Sequence, residues 1–269
     1  MSPATVRVAL QEVTLVAVTC VALSATMLAL ARSMEQARFG RVLLLSDRPP
    51  AALDTLRLSG IEWRQIAPIR SRAAYSRFML DHLAPHIETR FALVAQWDGY
   101  VINGAGWRDE FFDYDYIGAP WPQFDDGRTV GNGGFSLRSK RLLDACRDLS
   151  LTDGEAEDVA ICRTARDELE RDHGLRFASE SLARLFAYER TRRQGGEFGF
   201  HGVFNMIRDL PRAEFAAVLA SLEPRLLGRR ESGEILRAAL RAGHLPTVVQ
   251  ALRQKFASKS SGKSIRNGA

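Results

Sequence analysis

The sequence is poor in cysteine. Its 269 residues include three, Cys20, Cys146 and Cys162. They show neither paired nor metal-type spacing, which excludes a disulfide framework and fits reduced thiols in a reducing compartment. His82 and His86 lie four apart with no Glu in a zincin-like position between them, so they read as surface or packing residues. No cleavage pattern of small residues marks a signal peptide, and no internal repeat is visible. Long uncharged stretches are also scarce. Val13 to Leu30 is 18 residues without a charge, the threshold for a spanning helix. Its first half is β-branched and strand-like, its second half continues as a helix to about Ala37, and another apolar strand follows at Arg41–Leu45. Strand, helix, strand reads as the start of a βαβ unit with buried strands, in preference to a membrane anchor.

What is present fits an α/β protein. Apolar residues make up 46% and charged residues 26%, as in folded domains. The length suits one larger α/β domain, or one domain with an appendage. Charge is unevenly placed. From Asn205 to the end there are 12 Lys or Arg against 5 acids, whereas the preceding 204 residues are near neutral. A basic end of this kind suits an anionic membrane surface or an acidic partner, or is a solvated helical face.

The patterning predicts strands at about 13–19, 41–46, 61–66 and 90–95, with helices at about 21–37 and 73–87 and a short one after Arg48-Pro49-Pro50. A short strand is expected within Asp115–Trp121 and another at Phe135–Ser139, the latter followed by a helix through Cys146. Glu155 to about Arg171 reads as a helix with an acidic start. Three further helices are expected near the end: one opened by Pro211, one capped by Ser232 and closed by Gly243, and one opened by Pro246. Residues 257–269 are expected to be disordered. The expected division is 1–205, 206–256 and 257–269.

Four groups could carry chemistry. Gln96-Trp97-Asp98-Gly99 ends the apolar run Phe91–Ala95, and an Asp at a strand tip lies where open α/β sheets bind ligands. Its carboxylate suits Mg²⁺ or Mn²⁺, although Asp-Gly is also a plain turn. Gly131-Asn132-Gly133-Gly134 could let backbone N–H groups approach a ligand, or be an ordinary turn; no Gly-Lys-Ser/Thr follows it, so it is not a P-loop. Glu157-Asp158 could supply a general base, or be surface carboxylates at a helix start. His201 could be a metal or phosphate ligand, or a structural histidine.

Taken in order, Gln96–Gly99, Asp115–Trp121, Gly131–Arg138, Glu157–Val159 and Phe198–His201 resemble the GT-A glycosyltransferases, and most closely a bacterial group of functionally uncharacterised GT-A-like domains. The likeness spans roughly residues 13 to 205. It implies a Rossmann-related, mainly parallel sheet flanked by helices, with a helical C-terminal extension. It also implies a hexosyltransferase-type enzyme that moves a sugar from a nucleotide-diphosphate sugar to a hydroxyl of a glycan or other acceptor. By resemblance, Asp98 and His201 would bind Mn²⁺ or Mg²⁺. Glu157 and Asp158 would match the acidic motif beside the acceptor, with Asp158 favoured as the base of an inverting reaction. Asn132, Gly133 and Gly134 would line the donor sugar. Val18, Thr19 and Asp47 would sit near the nucleotide base, with Tyr75 and Arg77 as further nucleotide contacts. Gln96 stands where the two-Asp form of the motif has its first Asp, which weakens the metal site or makes the metal dispensable. The aromatic segment 107–121 is expected either to stack on a sugar face or to be core. No nucleic-acid partner is expected, and the protein is placed in the cytoplasm, with peripheral contact at the inner membrane face through the basic region. Two other readings stay open. A sugar nucleotidyltransferase would need a Gly-rich loop with a catalytic Lys or Arg near strand one, which residues 19–24 lack. A non-catalytic nucleotide- or sugar-binding module is favoured by Gln96.

Overall fold

The computed structural model describes residues 7–50, 60–149, 151–152, 154–223, 226–246 and 248–249. The chain divides into two compact units, Met1–His201 and Gly202–Ala269.

The first unit is built on a six-stranded sheet. Its strands are β1 (Val8–Val18), β2 (Ala37–Ser46), β3 (Glu62–Gln65), β4 (Phe91–Ala95), β6 (Tyr116–Gly118) and β7 (Phe135–Ser139). A second sheet is made of the two-residue strands β5 (Tyr100–Val101), β8 (Ala187–Tyr188) and β9 (Gly199–Phe200). The large sheet runs β3-β2-β1-β4-β7-β6. β1, β2, β3 and β4 are mutually parallel, while β7 runs antiparallel to both β4 and β6.

The central strands are apolar where both faces are covered, at Leu15–Val18 of β1, Val42–Leu45 of β2 and all of β4. Leu93, Val94, Leu43 and Leu44 are at most 1% exposed. Each such side chain contributes about 1.5–3 kcal/mol by leaving water, so a charge introduced at Leu93 would break the sheet at its centre. On one face lies α1 (Leu23–Gln36), with Ala25, Met27, Ala29 and Leu30 buried. Ser33 of α1 donates to Ala29 O and accepts the Val101 N–H, joining the helix to the small sheet. Helix α2 (Arg72–Asp81) is capped by Ser71, whose hydroxyl accepts from Ala74 N–H.

Val13–Leu30 is therefore strand and helix, and among the described residues no helix is long and apolar enough to cross a membrane. Several boundaries differ from expectation. The 73–87 helix stops at Asp81, and a short 3₁₀ turn, Ala84–His86, follows with Pro85 at its start. The expected helix from Glu155 to Arg171 is interrupted. Glu157–Val159 is α-helical, Ala160–Thr164 is a wider π turn, and Ala165 breaks the run before Arg166–His173. The helix expected after Pro50 and the tail 257–269 fall outside the described residues.

The second unit contains helices Arg212–Ser221 and Arg229–Arg241, burying Phe215, Leu219, Ile235 and Ala239. Gly228, not Ser232, occupies the cap position of the latter helix, so Ser232 lies within its first turn. Gly243 follows it with φ at 69°, the left-handed conformation that ends many helices. Of the helix expected from Pro246, only part lies within the described residues.

Candidate functional site

The strand order changes direction between β1 and β4, where open α/β sheets leave a crevice at the carboxyl ends of their strands. Asp98 lies in the turn just beyond β4 and is 9% exposed. Gly99 N–H donates to Gln96 O at 3.1 Å, closing that turn. Tyr100 then enters the small sheet and pairs with Phe200, one residue before His201. The pairing brings two positions a hundred residues apart together: His201 Nε2 is 3.3 Å from Asp98 Oδ1. On the other side of the ring, Nδ1 is 3.6 Å from Oε1 of Glu189.

Electrostatics follow from this sandwich. Burial alone would lower the His201 pKa, but the Asp98 charge and hydrogen bond, with Glu189 behind the ring, raise it to about 10. Glu189 responds in the opposite sense. Burial favours its neutral form, yet the His201 contact pulls its pKa below the ordinary value.

The glycine loop packs directly on this group. A Cβ on Gly134 would overlap the His201 imidazole, and one on Gly133 would overlap the Glu157 carboxylate. Gly131 lies against the Trp121 indole. These glycines are therefore required by close approach of the protein's own side chains. The left-handed position is taken by Asn132, at φ 68°. Its Oδ1 accepts from Gly134 N–H at 3.2 Å and Phe135 N–H at 3.4 Å.

The acidic pair lies on the far side of the loop and its two members differ. Asp158 Oδ2 accepts the Gly133 N–H at 2.8 Å and its Oδ1 accepts the Val159 N–H at 2.9 Å. The side chain stays half-buried, with lone pairs left over. Glu157 is turned inward. Its Oε1 accepts from Arg138 Nη2 at 3.2 Å, and neither side chain is more than 6% exposed. Arg138 also donates to Gly133 O at 3.2 Å and Ser136 Oγ at 3.0 Å. Burial and the Asp158 charge raise the Glu157 pKa, with Arg138 opposing them.

The nucleotide-side candidates divide. Tyr75 accepts a hydrogen bond from Gln96 Nε2 at 3.0 Å, at the edge of the site. Burial, then the charge of Glu157, raises its pKa. Val18 and Thr19 are buried at the end of β1, where the Thr19 hydroxyl accepts from Ala22 N–H at 3.2 Å. Asp47 follows β2 and pairs with Arg48 at 3.0 Å, and Arg48 also donates to Cys20 O at 3.3 Å. Arg77 stands apart: its side chain is 65% exposed and faces Asp81 across one helical turn. The aromatic segment is core. Trp107 packs edge-on to Phe111, Phe112 and Phe198, and Phe111, Tyr116 and Trp121 are buried.

Sequence reasoning missed two charged residues, Arg138 and Glu189. Strand alternation in Phe135-Ser136-Leu137-Arg138-Ser139 gives no reason to bury an arginine. Glu189 follows a two-residue strand too short to show a pattern. The spacing of Leu182, Leu185 and Phe186 after the cap residue Ser179 was the available signal for the helix leading to it.

Among the described residues no group of three or more His, Cys, Asp or Glu side chains is arranged to hold a metal ion. A cation with only one or two protein ligands completes its shell with substrate oxygens and water. Donors in adjacent octahedral positions at about 2.1 Å lie about 3 Å apart, close to the Asp98–His201 spacing of 3.3 Å. The pair offers an oxygen and a nitrogen, donor types that Mn²⁺-class ions accept.

The apo form of the glycosyltransferase GlyE from Streptococcus pneumoniae TIGR4 is similar to 73% of this chain, at 14% identity and a TM-score of 0.41. The chain covers 54% of that protein, about half its length. A second GlyE structure is similar over 63% of the chain, again at 14% identity, with a TM-score of 0.34 and 41% of GlyE covered. No curated protein matches. Residues 61–201 match the model of a family described as a protein of unknown function, DUF5672. That match spans more than half of the chain, which therefore belongs to this family.

Proposed function

We propose that the Met1–His201 unit is a glycosyltransferase of the GT-A kind, moving a sugar from a nucleotide-diphosphate sugar to an acceptor hydroxyl with the help of Mn²⁺ or Mg²⁺. The meeting of Asp98 and His201 at 3.3 Å beyond the carboxyl end of β4 carries this reading. It gains support from the glycine loop and the acidic pair, which pack around the same point.

When bound, the cation neutralises charge that gathers on the departing diphosphate. The protein's own residues do the rest. Asp98 and His201 present an oxygen and a nitrogen for the cation and the diphosphate. Asp158, held at both oxygens by backbone N–H groups, accepts the proton of the attacking hydroxyl. The bond from acceptor oxygen to the anomeric carbon forms as the carbon–phosphate-oxygen bond breaks, and the nucleoside diphosphate leaves. Glu157, engaged by Arg138, holds Asp158 and the loop in place and takes no proton.

One observation favours a second reading, a nucleotide-binding module without turnover. Gln96 commits its amide to Tyr75 and supplies no carboxylate. A thermal-shift panel of nucleoside diphosphates and nucleotide sugars, with and without Mn²⁺, separates the two when joined to a turnover assay. A ligand at 100 times its dissociation constant stabilises by about 2.7 kcal/mol. The expected result is a Mn²⁺-dependent shift and slow donor hydrolysis, both lost in Asp98→Ala. Metal-independent shifts with no turnover would establish the module instead.

A further inference from the structure

Glu189 is a charged residue at the cleft that the mechanism above leaves without a task. It immediately follows β8, and the backbone fixes it beside His201. β8 pairs with β9 in parallel, setting Tyr188 opposite Phe200, and His201 N–H donates to Tyr188 O at 3.0 Å. The Glu189 side chain is 14% exposed, with its Oε1 3.6 Å from the ring nitrogen that faces away from Asp98. Two further groups hold that carboxylate. Arg190 Nε lies 3.7 Å from the same oxygen. The Asn132 side chain favours the charged form of Glu189, and its own Oδ1 takes the N–H groups of Gly134 and Phe135. A row of neighbouring polar groups therefore runs from Asn132 of the glycine loop past Glu189 and His201 to Asp98.

We propose that Glu189 is the positioning residue of His201: its carboxylate, at ion-pair distance behind the ring, favours a proton on Nδ1 and keeps Nε2 turned toward Asp98, with Asn132 beside Glu189. The inference rests on the reading of Asp98 and His201 as a cation-and-diphosphate site. A histidine ligates through one nitrogen only if its proton sits on the other, and a carboxylate behind the ring fixes that choice and makes the free nitrogen a better donor. Without it the ring can turn over, exchanging Nε2 for a carbon at the Asp98 side. Gly134 makes room for the ring where it lies, since a methyl group there would overlap it.

The test compares the full-length protein with Glu189→Ala, Glu189→Gln and Asn132→Gly. Glutamine keeps an acceptor at the same length, and glycine keeps the left-handed backbone at position 132. Two measurements are made: the His201 Nδ1–H resonance in metal-free protein, and the affinity for Mn²⁺ alone. The expected result is loss of the hydrogen-bonded ring signal and Mn²⁺ binding weakened about 10–100-fold in Glu189→Ala. Glu189→Gln should retain the signal with a smaller loss of affinity, and Asn132→Gly should fall between the two. An unchanged ring signal in Glu189→Ala overturns the proposal, whatever happens to Mn²⁺. If the ring signal behaves as expected but the wild-type protein binds no Mn²⁺, the metal reading falls and Glu189 still positions the ring. If Glu189→Ala does not fold, Glu189→Gln and Asn132→Gly decide by the same ring signal.

Discussion

The two charged clusters that flank the glycine loop are both rich in carboxylate, but they neutralise it differently. On one side an imidazole lies between Asp98 and Glu189. On the other a guanidinium, fully buried, is matched to Glu157 beside Asp158. Arginine keeps its charge at any ordinary pH, whereas histidine can give up its proton. The Arg138 side is thus a permanent structural joint, and the His201 side is one whose positive charge can leave with a proton.

The contrast can be broken most sharply at Arg138. Arg138→Leu leaves Glu157 buried without its partner, and should cost about 3–5 kcal/mol in urea unfolding. His201→Gln should cost far less stability while abolishing Mn²⁺ binding; equal losses from the two substitutions would erase the distinction. Asp158→Asn keeps an acceptor for the Gly133 N–H but cannot take a proton. It should lower turnover roughly 10²–10⁴-fold with little change in melting temperature, and a loss below tenfold would remove the base assignment.

Gly134→Ala pushes a methyl group into the imidazole. We expect about 1–3 kcal/mol of destabilisation from overpacking, with weaker Mn²⁺ binding, read by calorimetry. Retention of both properties would show that the ring has room to move. The smallest effect concerns protons. The His201 pKa is held near 10 in the metal-free fold, above its ordinary value of 6.5. The ring is therefore charged at pH 7, and on the proposed reading Mn²⁺ has to displace its proton. Calorimetry in buffers of different ionisation enthalpy should find about one proton released per ion, and each pH unit toward 10 should strengthen binding by about 1.4 kcal/mol. The same shift stabilises the metal-free protein. That contribution is complete below the unfolded-state pKa and is lost as pH rises through about 10.

Much of the large sheet was legible because β4 and the second halves of β1 and β2 are apolar runs and β7 alternates. Phe91–Ala95 and Phe135–Ser139 form strands where the pattern places them. The small sheet was not, since two-residue strands carry no period. Yet that small sheet brings His201 to Asp98, so their meeting could be expected from family resemblance and not from patterning. Arg138 was hidden for a related reason. Its strand lies between two neighbours and is covered on both faces, so alternation does not separate inside from outside there. The expected helix from Glu155 missed the π turn, which lets Ile161 and Cys162 both face the interior.

The reversed direction of β7 has a geometric consequence. A strand of five residues spans about 17 Å. Were β7 aligned with β4, the segment leading into it would begin at the opposite rim of the sheet, that far from the crevice. Because the strand is reversed, the segment entering it meets the segment leaving β4, and Gln96 N–H reaches Gly134 O at 2.8 Å. One inverted strand thus brings two distant stretches of chain into contact at a single rim of the sheet.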